Sequence, residues 1–133
     1  MTRQINKIVI HSAATPAHMD IGVEEITRWH HERGWNDIGY HWVIRRSGTI
    51  EKGRDEAVQG AHVRGHNHDS IGVCMVGGEG GFNFTWKQMG SLRNLVTELL
   101  NRYPGAEIVG HRDLAVTECP SFDVRAYFDG WVR

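Results

Sequence analysis

His111 and Cys119 stand eight residues apart in the run His111-Arg112-Asp113-Leu114-Ala115-Val116-Thr117-Glu118-Cys119-Pro120, and His11 closes a short apolar stretch a hundred residues upstream. Two imidazoles and a thiolate are natural zinc ligands, and three protein ligands leave a tetrahedral ion with a fourth position for water. An open zinc in a small domain predicts hydrolytic chemistry. No short motif ties His11 to the other two, so spacing proposes the trio without fixing it. His62, His66 and His68 form a second cluster and a rival metal site by spacing. They lie on a polar stretch without a nearby cysteine or a set of carboxylates. Lining a substrate groove suits that stretch better, with His62 and Asn67 offering neutral donors and acceptors. The plain alternative is that these side chains hold their own loop together.

Elements must carry these residues to one place. Ile8-Val9-Ile10 predicts a short central strand that ends at His11. From Val23 to Arg33 the apolar residues recur at three-to-four spacing, Glu24 and Glu25 suit a first turn, and Gly34 suits a stop, so this stretch reads as a helix. His30 and His31 on it read as one packed and one exposed residue. Tyr40 to Arg45 alternates, Arg46-Ser47-Gly48 reads as a hairpin turn, and a partner strand runs over 49–52. Residues 53–70 are polar and aperiodic, and a loop of that length in a small domain is usually functional. Ile71 to Val76 reads as a buried strand, with Cys74 as a buried free thiol. Gly77 to Gly81 reads as a flexible connector, lacking the ending of a phosphate loop. Thr85 and Gln88 fit a capping box. Met89, Leu92, Val96, Leu99 and Tyr103 mark the stripe of a long helix that Pro104-Gly105 ends. Ile108-Val109 reads as a strand delivering His111, and Ser121 as the cap of a last helix.

That order predicts an α/β fold: a central mixed β-sheet flanked by helices in a single domain over residues 1–133. If the strands before His11 and His111 are parallel neighbours, both imidazoles emerge at one edge of the sheet, where open α/β folds bind ligands.

Composition removes several other functions. The chain has 133 residues, enough for one domain, and a net charge of −1. Without a basic excess or a basic run, neither nucleic acid nor a membrane surface is an expected partner. No stretch approaches the roughly 18 apolar residues of a membrane span. The N-terminal residues do not form a signal-peptide core, which places synthesis in the cytosol. There are two cysteines, and a Cys74–Cys119 disulfide is disfavoured in that compartment. It would also consume the third zinc ligand.

Several runs match a known family in order and spacing. They are Gly39-Tyr40-His41-Trp42-Val43-Ile44, Gly60-Ala61-His62, Gly65-His66-Asn67-His68-Asp69-Ser70-Ile71-Gly72-Val73-Cys74, His111-Arg112-Asp113 and Glu118-Cys119-Pro120-Ser121-Phe122-Asp123. The chain resembles the type-2 N-acetylmuramoyl-L-alanine amidases, relatives of the peptidoglycan recognition proteins, and looks closest to the amidase endolysins of T-odd bacteriophages. The resemblance spans nearly the whole chain. It implies a zinc ion held by His11, His111 and Cys119, and cleavage of the amide between the lactyl group of N-acetylmuramic acid and L-alanine of bacterial peptidoglycan. It implies a catalytic role for Tyr40. The family's other active-site position is lysine in the best-known phage enzymes and Thr117 here, and threonine also occurs there in some active relatives. Asp113 is an orienting partner for a ligand histidine, an ion-pair partner of Arg112 or a turn cap, and Glu118 reads as a solvated charge. The expected enzyme is a monomer made in the host cytoplasm that reaches the wall after release through a separate membrane-permeabilising protein. Two alternatives come with the resemblance: a wall-binding module without catalysis, and an amidase that also binds and inhibits a phage RNA polymerase.

Overall fold

Ile8, Val9 and Ile10 are β-branched and wholly buried, which suits a strand with neighbours on both edges and cover on both faces. A computed structural model, describing residues 3–131, places them in β1 (Lys7–Ser12). β1 runs parallel to β4 (Ser70–Met75) on one side and to β5 (Glu107–Gly110) on the other. β2 (Trp42–Ile44) joins β4 in parallel and forms a hairpin with β3 (Ile50–Lys52). The order across the five-stranded sheet is β3-β2-β4-β1-β5. The mixed sheet expected from the sequence is therefore present, with the strand that carries His11 near its middle.

Side chains of a strand alternate between faces, so each strand serves two cores. Ile8, Ile10, Ile71, Val73 and Met75 meet Leu92, Leu95, Val96 and Leu99 of helix α2 (Trp86–Arg102). The short helix α3 (Val124–Tyr127) adds Val124 to that core. On the opposite face Val43, Cys74 and Val76 pack with Ile26 of helix α1 (Val23–Glu32). His11 belongs to this second face, opposite the α2 core.

Helix α2 carries the capping box: the Thr85 hydroxyl accepts from the Gln88 amide, and the Gln88 side chain accepts from the Thr85 amide. Two details differ from the sequence reading. Asp123, rather than Ser121, caps α3 by accepting from the Ala126 amide, because the Ser121 hydroxyl is spent on the Gly78 carbonyl. The glycine stretch after β4 is also pinned rather than a free connector. The Gly77 amide donates to the Thr15 hydroxyl, and the Gly78 amide to Asn83. Positive φ angles at Gly77 (115°) and Gly78 (89°) let the chain turn there, as only glycine does without strain.

Candidate active site

β1 and β5 run side by side in the same direction, so the residues at their C-terminal ends emerge together. His11 lies near the end of β1, and His111 opens the 3₁₀ turn His111–Asp113 directly after β5. Their ring centroids are 4.6 Å apart. That turn is fastened by the Asp113 carboxylate, which accepts from the Gly110 amide at 2.8 Å. Asp113 is thus a turn cap, and its charged neighbour is Arg125 at 3.9 Å, not Arg112.

Cys119 arrives from the loop that follows. The Ser12 amide, at the end of β1, donates to its Sγ at 3.1 Å, and the Arg112 amide donates to its carbonyl at 2.8 Å. Cys119 Sγ lies 4.0 Å from His11 Nδ1. One donor atom from each of His11, His111 and Cys119 falls within 4.8 Å of the others, the one such group of three among the described residues. Both cysteines are free, so the sulfur is available.

The donor set fits zinc. Two imidazoles and a thiolate are the ligand types zinc takes, and their separations, up to 4.8 Å, are wider than the roughly 3.3–3.6 Å of a closed tetrahedron with ordinary Zn–N and Zn–S bonds. Burial pushes the pKa of His11 well below its usual value, with His62 and His111 adding to the effect. Burial likewise lowers that of His111. Both rings are therefore neutral near pH 7, as metal ligands must be. Burial raises the Cys119 thiol, only partly offset by the donors at Ser12, so metal binding there releases a proton.

Tyr40 precedes β2, and its ring tilts against His11 with centroids 5.1 Å apart. Burial raises its pKa well above 10, and the Cys74 and Cys119 sulfurs raise it further. The phenol is protonated at any working pH and can act only as a neutral hydrogen-bond donor or acceptor. Beside it, Ala13, Ile26, Trp29, His30 and Arg33 line a small cavity. Thr117 is exposed on the rim, its hydroxyl accepting from the Cys119 amide at 3.3 Å.

The histidines of the long loop part company. His68 is exposed, and His66 does not approach the trio. His62 turns inward: its Nδ1 is 2.8 Å from His11 Nε2, and its Nε2 is 3.1 Å from Ser70 Oγ. Asn67 Oδ1 accepts from the His62 and Val63 amides, both at 2.9 Å, and so fixes the loop. The sequence left His62 and Asn67 between lining a substrate groove and holding their own loop; Asn67 holds the loop, and only the contact of His62 with His11 was not foreseen. The small residues Gly60 and Gly72, which make room for the His62 ring, were the available signal. His41, also unassigned from sequence, accepts from the Gly72 amide and lies 2.8 Å from the Val58 carbonyl, a structural cross-link. Of the α1 pair, His30 is buried and accepts from the Gly39 amide while His31 is exposed, as expected.

A parallel pair of strands that presents two histidines to a cysteine loop defines a class, and comparison with known proteins agrees. Residues 1–122 match the family of N-acetylmuramoyl-L-alanine amidases. The endolysin of Klebsiella phage KP32 is 48% identical over 132 residues, covering 96% of this chain and 87% of the relative. That of Escherichia phage T7 is 49% identical over 127 residues, covering 92% and 84%. Among solved structures, the amidase LysC of Clostridium intestinale superposes with a TM-score of 0.85 at 32% identity, covering 98% of this chain and 88% of that one. Drosophila PGRP-LB gives 0.84 at 28%, covering 98% and 83%. The chain belongs to the N-acetylmuramoyl-L-alanine amidase family, and its fold is the one those amidases share with peptidoglycan recognition proteins.

Proposed function

We propose that this protein is a zinc-dependent amidase that hydrolyses the bond between the lactyl group of N-acetylmuramic acid and L-alanine in peptidoglycan, and that it serves as a phage or prophage endolysin. The observation that carries the reading is the convergence to within 4.8 Å of His11 with His111 and Cys119, which lie a hundred residues further along the chain. The phage relatives named as endolysins support the biological role. His11, His111 and Cys119 would hold the zinc ion, which would supply Lewis acidity toward the amide carbonyl and a water of lowered pKa, about 7.

The chain itself does the rest. Tyr40, protonated and close to His11, donates a hydrogen bond to the carbonyl oxygen as negative charge builds there. A fixed donor of this kind is worth about 3–4 kcal/mol in the transition state. Thr117 offers a neutral hydroxyl at the rim, a weaker electrostatic aid than a charged side chain in that place. The buried floor formed by His11 excludes bulk water on one side, which strengthens both effects. No helix of the described residues is long and apolar enough to cross a membrane. In the proposed reading, a separate membrane-permeabilising protein gives the enzyme access to the wall.

Digestion of purified peptidoglycan tests the proposal. The expected products are stem peptides with a free L-alanine amine, formed without new reducing sugar ends, suppressed by a chelator and restored by zinc. New reducing ends would mean a glycosidase and would overturn it.

A further inference from the structure

We infer that His62 is a positioning residue: it fixes the tautomer and orientation of His11 so that His11 Nδ1 is presented to the metal. The inference rests on the zinc reading above and concerns a contact that lies behind the site rather than in it.

His11 is 1% exposed, so both of its ring nitrogens need partners from the protein or a ligand. Nδ1 faces Cys119 Sγ at 4.0 Å, on the side of the donor trio. Nε2 faces His62 Nδ1 at 2.8 Å. A lone pair on Nδ1 puts the His11 proton on Nε2, from where it is donated to His62 Nδ1. That in turn places the His62 proton on Nε2, aimed at Ser70 Oγ 3.1 Å away. The chain of bonds thus has one direction, from His11 through His62 to Ser70. A ligand histidine whose second nitrogen is held in this way keeps its ring in place and gains basicity.

The surroundings are shaped to hold the His62 ring still. A Cβ on Gly72 would lie 2.6 Å from His62 Cγ, and one on Gly60 would lie 2.8 Å from His62 Cδ2. Two glycines therefore form a slot that the ring fills. The Asn67 side chain grips the backbone at 62 and 63, which sets the height of the ring over β4. Ser70 is fully buried at the start of β4, and its hydroxyl cannot swing into solvent.

The test compares zinc affinity, measured by competition with a chromophoric chelator, in the wild type, His62→Ala and His62→Asn. Asparagine keeps an acceptor oxygen near the place of Nδ1. Loss of an orienting partner typically weakens metal binding about 10–100-fold. That loss is expected in His62→Ala, with recovery toward wild type in His62→Asn. Equal affinity in all three would overturn the inference. Should His62→Ala fail to fold, long-range ¹H–¹⁵N spectra of the zinc-free wild type decide. Protons on Nε2 of both His11 and His62 are expected, and a proton on His62 Nδ1 overturns the assignment. A wild type that takes up no zinc would instead sink the reading on which the inference stands.

Discussion

The Tyr40 hydroxyl can be removed with almost no change of volume. Tyr40→Phe is expected to lower kcat about 10²–10³-fold, the usual loss for one fixed donor to an oxyanion, while zinc content stays unchanged. Metal analysis alongside kinetics checks both halves. Cys119→Ser should abolish both zinc retention and activity yet leave circular dichroism like that of wild type, because the apolar clusters do not include Cys119. At this scale the sequence was most informative about donors. His11, His111 and Cys119 are residue types with few other uses at strand ends, and the structure brings them together. His62 was harder to read. Its contact with His11 depends on the path of an aperiodic loop, and no spacing rule reports where such a loop folds back.

Elements were legible where a periodic stripe met a cap. Helix α2 follows from the apolar spacing and the Thr85/Gln88 pair, and both boundaries lie close to where those signals put them. Gln88 does more than cap. Wholly buried, its Nε2 donates to the Ile44 and Val76 carbonyls, and its Oε1 accepts from Arg46 and the Thr85 amide. It thereby ties α2 to β2 and to the end of β4. Gln88→Met keeps the bulk and drops all four bonds, and should cost about 1–3 kcal/mol, read by urea denaturation. Helix α3 is the weaker case. Ser121 is a common capping type, but a φ of 79° and a bond to Gly78 remove it from that role. Those are long-range facts that local sequence does not contain.

For the molecule as a whole, strand order was the least accessible quantity. The sequence allowed β1 and β5 to be neighbours, but only packing decides that β4 and β5 flank β1 while β2 lies beyond β4. One long-range tie gives a pH test. Glu56 accepts from Trp42 at 2.7 Å, Arg102 at 2.6 Å and Tyr103 at 2.6 Å, joining the long loop to β2 and to the end of α2. Burial alone would raise its pKa, but the bonds from Arg102, Tyr103 and Trp42 outweigh it and leave the carboxyl below its ordinary 4.5. On acidification the unfolded chain therefore takes up the proton first. The stabilisation is complete above the ordinary carboxylate range and is lost as pH falls through the lower, folded value. Glu56→Gln should cost about 1–3 kcal/mol at neutral pH, and that difference should shrink in acid, as denaturation midpoints across the range would show.

The distance along the chain between the metal donors has one more consequence. His111 and Cys119 stay near each other even in a disordered polypeptide, but His11 joins them only once β1 has been laid against β5. On the zinc reading proposed above, the ion would bind the finished molecule far better than the denatured one, and would act as a latch between its first strand and its last. A hundredfold excess of free zinc over Kd is then worth about 2.7 kcal/mol. Melting temperature should climb with zinc supply and drop after chelation, so thermal stability becomes a gauge of how much of the enzyme is charged with its ion.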